Sequence, residues 1–361
     1  VTPRRPLVLV GPTASGKSSV ALELARRRLG VPGAPPVELV SCDSMQVYRG
    51  MDVGTATPTA AERAEVAHHL LDVVDPDEEF HVAEFQRLVA ETLDDIASRG
   101  AEAVLVGGTG LYVRAVVDDL RVPGRYPEVA ERLAGWSDDE LTRRLAELDP
   151  VAARRVPAGN RRRLLRALEV TIGSGTPFSA SGPGLDHYGP TRFLLAGLAV
   201  PREQLGGRVE GRFRRQLEDG LVAEAAALLR RPGGLSRTAA AALGYQELFD
   251  HLAGRCTLDE AIASAVRRTR RFAVRQERWF RRDPRIRWFA APDDPGDAGP
   301  GASSERTGTT ASRRPADVAE ELDRWWSESA VVADGGAATV TSAGAPATDP
   351  AGDGPEPTSC D

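Results

Sequence analysis

The chain has 361 residues, 27% of them charged and 41% hydrophobic, with a formal net charge of −6. That length fits one sizeable core with an appendage, or two modest domains. No run of eighteen apolar residues occurs, which argues against a membrane-spanning helix and for a cytoplasmic protein, and a monomer is expected. Cys42, Cys256 and Cys360 are odd in number and far apart, with no CxxC pair or Cys/His cluster. They fit a reducing compartment and indicate no zinc site.

The charge is unevenly spread. Residues 291–361 carry fourteen acidic side chains against four arginines, a net of −10, so the rest of the chain carries +4 of the total −6. A mildly basic body ahead of an acidic, Gly/Pro/Ala/Thr-rich tail is compatible with a polyanionic partner. The chain contains a single lysine, Lys17; every other fixed positive charge is arginine.

In chain order, the apolar run 7–10 predicts a strand and 17–28 a helix. A strand is predicted at 37–41, a helix at 81–98 and a strand at 101–110. Continuous apolar strands joined by helices indicate an α/β core with a parallel sheet covered on both faces. From 127 the pattern becomes short helices, at 127–134, 137–147, 149–155 and 160–172. "TRFLLAGLAV" (191–200) then restores a buried strand. Residues 127–189 are therefore expected to be an all-helical insertion into a core formed by 1–126 and 190–290. Helices are predicted again at 201–219, 221–231, 244–253 and 257–282, with a last strand at 285–290. Residues 292–314 are expected to be a disordered linker, 315–328 an amphipathic helix with proline in its first turn, and 330–361 a disordered acidic tail.

Between the first strand and helix, "GPTASGKS" comprises Gly11, Pro12, Thr13, Ala14, Ser15, Gly16, Lys17 and Ser18. It matches G-x-x-x-x-G-K-[ST], the P-loop of nucleotide-binding and ATP-binding proteins, in the strand-to-helix context that motif requires. Successive backbone N–H groups and a helix N-terminus favour a diphosphate or triphosphate there, and the Ser18 hydroxyl can hold Mg²⁺. The isolated lysine has a physical reason. A compact ammonium on a slim stem reaches across the loop to phosphate oxygens more easily than a planar guanidinium does. These groups recognise phosphate and metal, and leave open what the diphosphate is attached to.

Ligands of parallel sheets sit at the carboxyl ends of strands, so residues following 37–41 and 101–107 should converge on the P-loop. Asp43 is a candidate general base or water-mediated metal ligand, or alternatively the cap of the next turn. Thr109, in "VGGTGLY", is either a site residue or a helix N-cap. His68, His69 and His81 lack a metal-like pattern. On the helix at 257–282, Arg267, Arg271, Arg275, Arg278 and Arg282 recur at steps of 4, 4, 3 and 4, which makes one basic stripe. Only Glu277 lies near as countercharge, so neutralisation by phosphates of a nucleic acid is favoured. Trp279, Phe280 and Trp288 alongside are expected to be core. Arg208, Arg212 and Arg215 form a second row that could turn inward toward the diphosphate.

"GPTASGKS", "SCDSMQVYRGMDVGTATP", "HHLLDV", "VGGTGLYVRAV", "RRRLLRALEV", "LGYQEL" and "RRFAVRQERWFRRDPRI" occur in this order across residues 6–290. Together they resemble the tRNA dimethylallyltransferases, also called isopentenyl-tRNA transferases. The resemblance implies a P-loop NTPase-like parallel sheet with an inserted all-helical tRNA-binding domain. It implies transfer of a dimethylallyl group from dimethylallyl diphosphate, with Mg²⁺, to N6 of adenosine 37, just 3′ of the anticodon, in tRNAs reading codons that begin with U. By the same resemblance Gly11 to Ser18 hold the diphosphate and Asp43 accepts the N6 proton. Thr109 meets the bridging oxygen of the leaving group, and Arg212 binds the diphosphate from the far side. The tRNA anticodon stem-loop would meet Asp43, Ser44, Met45, Gln46 and Thr109, then Arg162, Arg163, Leu164, Leu165 and Arg166, then Gly244, Tyr245 and Gln246. Three positions depart from the family pattern by losing a basic residue: Thr57, Ala240 or Ala241, and Val274. A P-loop alone would also allow an ATP-dependent small-molecule kinase, and the basic helices alone a non-enzymatic RNA-binding module.

Overall fold

The computed structural model describes residues 4–157, 159–293 and 312–331. Six parallel strands form one sheet: β1 (Leu7–Val10), β2 (Val37–Ser41), β3 (His68–His69), β4 (Glu102–Gly107), β5 (Leu194–Ala199) and β6 (Arg287–Ala290), in the order β3-β2-β4-β1-β5-β6. β1 lies between β4 and β5, with Leu9 opposite Val106 on one side and Ala196 on the other. The sheet order reverses at β1, which opens a crevice at the carboxyl ends of the strands where ligands can bind.

The strict alternation of strand side chains divides the core between the two faces. Leu7 and Leu9 pack with α1 (Lys17–Leu29), through Val20, Ala21, Leu24 and Ala25. Val8 and Val10 pack with α3 (Val82–Ser98) and with α4 (Gly110–Val117), a helix whose length was not expected, although Thr109 is a candidate for its N-cap in the sequence. The short α2 (Ala60–Glu65), opened by a Thr59–Glu62 capping box, and the two-residue edge strand β3 were also not expected. Both are too short to give a periodic signal.

The insertion forms where the helical pattern placed it. α5 (Pro127–Ala134), α6 (Asp138–Leu148), α7 (Pro150–Arg155) and α8 (Arg161–Ser174) enclose a separate core of Val129, Leu133, Leu141, Leu145, Ala152, Leu164, Ala167 and Leu168. Local caps start two of these helices: Ser137 and Glu140 form a reciprocal box, and the Asn160 side chain accepts from Arg163 N–H. After β5 come α9 (Arg202–Glu218), α10 (Leu221–Leu229), α11 (Arg237–Ala240), α12 (Tyr245–Leu252) and α13 (Leu258–Phe280).

The carboxyl-terminal segment departs from expectation. α14 (Pro315–Val331) is not an appended helix: Val318, Ala319, Leu322 and Trp326 are fully buried in the core beside α1, and Trp326 Nε1 donates to Arg5 O at 2.9 Å. It also runs to the second residue of the stretch read as tail. The expected linker is ordered at both ends, where Asp293 N–H donates to Arg313 O at 2.8 Å and Arg313 N–H to Asp293 Oδ2 at 2.7 Å. Its middle, 294–311, and residues 332–361 lie outside the described residues.

Candidate active site

The loop between β1 and α1 has the backbone its motif requires. Gly16 is the N-cap of α1 with φ 81°, a left-handed conformation that suits glycine, and no side chain caps the helix. The first amides of α1 are therefore left for an anion. Ser15 is fully buried and its hydroxyl has no hydrogen-bond partner among the described residues, an orphan polar group in the cradle. Lys17 Nζ donates across the loop to Pro12 O at 2.7 Å. Burial lowers its pKa from the usual lysine value to about 7; neighbouring Arg212 adds to the drop and Asp43 opposes it.

The tips of β2 and β4 deliver the other candidates. Asp43 Oδ1 accepts from Met45 N–H at 2.8 Å, so the turn-capping alternative holds for one carboxylate oxygen. Its charge nonetheless acts on both Lys17 and Arg212. Thr109 occupies the N-cap of α4 but makes no side-chain cap. Its Oγ1 instead accepts from Ser44 N–H at 3.2 Å, tying the β4 loop to the β2 loop. Gln46 is held by Ser41 Oγ at 2.7 Å and donates to Thr55 O and Ala56 O.

Of the second arginine row, Arg212 does turn inward. Its Nη1 donates to Thr13 Oγ1 and its Nη2 to Thr55 O, each at 3.2 Å, and burial pulls its pKa below the usual arginine value. Two half-buried cationic side chains thus lie near a single carboxylate, a site short of negative charge. Arg208 packs deeper and donates to Pro292 O at 2.9 Å, while Arg215 is exposed.

Sequence reasoning missed the inner face of α13. Gln276 is buried; its Oε1 accepts from Thr13 N–H at 2.8 Å and its Nε2 donates to Gly108 O at 2.8 Å. A Cβ on Gly108 would lie 2.4 Å from that Nε2, and one on Gly110 would lie 2.3 Å from the Trp279 ring. On Gly107 it would meet Cys42 O at 2.3 Å. The "GGTG" glycines thus admit protein neighbours, and a Gln among so many arginines was the available signal.

The outer face of α13 is the expected stripe. Arg267, Arg271, Arg275, Arg278 and Arg282 are all exposed, and only Arg282 approaches a carboxylate among the described residues, Asp186 at 3.8 Å. Glu277 pairs with Arg281 instead. On α8, Arg162 and Arg163 are exposed, whereas Leu164 is fully buried and Leu165 partly packs in the insertion core. Arg166 Nη2 donates to Pro123 O at 2.8 Å, and its Nη1 lies 2.8 Å from Glu169 Oε1 as an ion pair.

In "LGYQEL", Tyr245 is buried with its hydroxyl donating to Glu224 at 2.5 Å, and Gly244, at φ 89°, lies against Phe213. Leu243 and Gln246 are partly exposed. Leu164 and Tyr245 therefore shape the surface offered to a partner, without presenting their own side chains. Glu224 also accepts from the Asp52, Val53 and Gly54 amides, which holds the loop carrying Thr55 and Thr57. At the positions lacking a basic residue, Thr57 bonds Thr55 at 2.7 Å and Val274 packs against the core.

His69 bonds Glu38 at 2.6 Å and His68 bonds Val66 O at 2.7 Å, both on the sheet edge. Among the described residues no three His, Cys, Asp or Glu side chains gather as a metal site. Ser18, exposed at the start of α1, presents a hydroxyl that could hold an ion carried on a phosphate.

A P-loop lysine and a facing arginine, both half-buried, beside a strand-end carboxylate and an arginine-lined helical surface, fit an α/β enzyme with a cradle suited to phosphate groups. The comparisons narrow that class. The family described as IPP transferase matches residues 46–283. A tRNA dimethylallyltransferase of Kineococcus radiotolerans is 52% identical over 299 residues, covering 81% of this chain and 92% of the relative. A crystal structure of the tRNA isopentenylpyrophosphate transferase of Bacillus halodurans superposes with a TM-score of 0.61 at 33% identity, covering 92% of this chain and 100% of that one. A eukaryotic dimethylallyltransferase acting on tRNA shares the fold, with a TM-score of 0.66 at 24% identity over 80% of this chain and 74% of that one. The chain belongs to the IPP transferase family, that of the tRNA dimethylallyltransferases.

Proposed function

We infer that the protein transfers a dimethylallyl group from dimethylallyl diphosphate to N6 of adenosine 37 in tRNAs reading codons that begin with U. The observation that carries this reading is the half-buried pair Lys17 and Arg212, both within electrostatic reach of Asp43, with Arg212 bonded to Thr13 of the phosphate loop. A cleft with two desolvated cations gains stability when a diphosphate enters, and most when negative charge builds on its departing oxygen.

In the reaction the N6 nitrogen attacks the allylic C1, the C1–O bond breaks, and its electron pair leaves with the pyrophosphate. The N6 proton passes to the Asp43 carboxylate. Lys17, Arg212 and the loop amides neutralise the leaving group, and Thr109, anchored through Ser44, donates toward its bridging oxygen. Mg²⁺, held with the diphosphate by Ser18, would supply further charge neutralisation. The base must be unstacked to reach Asp43, which costs less from a single-stranded loop than from a duplex and so favours an anticodon loop. The exposed arginines of α13 and α8 provide phosphate contacts for its stem. The protein is proposed to act as a monomer. No described helix is long and apolar enough to cross a membrane.

The test is an unmodified anticodon stem-loop incubated with the protein, Mg²⁺ and dimethylallyl diphosphate. Mass spectrometry should find one added dimethylallyl group, and ATP in place of the donor should yield neither product nor turnover; ATP hydrolysis with no prenylation would favour the kinase. Asp43→Asn, which keeps the turn with Met45, should retain RNA binding and lose about 10²–10⁴-fold in rate. Near-normal transfer by that variant would remove Asp43 as the base.

A further inference from the structure

We propose that Gln276 is a positioning residue for this reaction, its side-chain amide holding the diphosphate loop and the Gly108–Thr109 loop in one register. The proposal rests on the activity inferred above. The two loops end different strands, β1 and β4, and the Gln276 amide spans both with one acceptor and one donor bond of 2.8 Å. On the first side it fixes Thr13, whose hydroxyl accepts from Arg212 Nη1. On the second it fixes the carbonyl directly before Thr109.

Loss of the amide would therefore misplace Arg212 and Thr109 together, the two side chains assigned to the leaving group. It would leave the arginine stripe on the opposite face of the same helix unchanged. No other side chain is recorded bonding both loops among the described residues. The site is also built for an amide: Gly108 has no room for a Cβ beside Nε2, and the partly buried Thr13 N–H and the buried Gly108 O require one acceptor and one donor.

Gln276→Met keeps the length and removes both hydrogen bonds. It should lower kcat about 10- to 100-fold, the loss expected for leaving buried partners unsatisfied next to a reacting group. The KM for the stem-loop should stay within about twofold, because the RNA-facing arginines are untouched.

Gln276→Glu provides a signature that a simple packing defect would not. Its carboxylate would face Gly108 O without a proton, whereas its protonated form restores both the acceptor and the donor. The ratio of its rate to wild type should rise at least about fivefold from pH 8 to pH 6, while the ratio for Gln276→Met stays flat. A flat ratio for the Glu variant, or wild-type kcat in the Met variant with its fold confirmed by circular dichroism, would overturn the proposal. Should the Met variant not fold, the pH ratio of the Glu variant decides alone. If wild type itself gives no prenylated RNA, the inferred activity fails instead. Pyrophosphate affinity measured by calorimetry then tests Gln276, with about tenfold weakening expected in the Met variant and an unchanged affinity counting against it.

Discussion

The two faces of α13 carry opposite kinds of order. The inner face is uncharged and fixed: Gln276 is bonded to two loops, Trp279 lies on Gly110, and Ala273 and Phe280 are in the core. The outer face carries five arginines in water, almost without ion pairs among the described residues. Charge held in the cleft beyond the inner face was desolvated during folding, so it acts at full strength on a diphosphate. Charge on the outer face is screened by salt and contributes affinity in small equal steps. The molecule thus separates chemistry, which needs fixed geometry, from capture of a long polyanion, which needs reach.

The separation can be broken at its strongest point first. Lys17→Ala should lower transfer by about a thousandfold, in the range found when a principal donor to developing negative charge is lost. Stem-loop affinity should be almost unchanged in a filter-binding or calorimetric measurement. A comparable loss of RNA affinity would mean that the cleft and the stripe are not separate.

A pH series sharpens the comparison. Burial lowers the Lys17 pKa to about 7, and a bound diphosphate raises it, so binding above pH 7 takes up a proton. Donor affinity should therefore fall with rising pH, by up to about tenfold per unit above 7, and level off below 7 where the ammonium is already charged. Stem-loop affinity should not follow this curve, and Lys17→Arg, which stays charged, should flatten it.

The smallest effect is expected on the outer face. Arg275→Gln should weaken stem-loop binding about threefold to tenfold at low salt and reduce the slope of log affinity against log salt by about one. The rate at saturating RNA should not change. A lower kcat would show that the outer face takes part in the chemistry.

Motifs tied to local backbone were legible from sequence. The P-loop follows from the strand, the glycine able to adopt φ 81° and the helix start, all within a dozen residues. The insertion was legible for a similar reason, since its apolar periodicity and its Ser137 and Asn160 caps are local signals. The roles of Asp43 and Thr109 were only half legible. Asp43 caps its turn as the local reading allowed, but Thr109 bonds across to Ser44 and leaves its own helix uncapped.

Sequence by itself determined the fold class, the phosphate cradle and the basic stripe, because each is encoded in spacing along one strand, loop or helix. Only the tertiary structure decided that Arg212 bonds Thr13 of the P-loop, that α14 belongs to the core, and that Gln276 joins the two loops. The Thr13–Gln276 and Thr13–Arg212 bonds join residues 263 and 199 positions apart. Such partners are chosen by how helices pack on a sheet, and no local pattern in the chain records that choice.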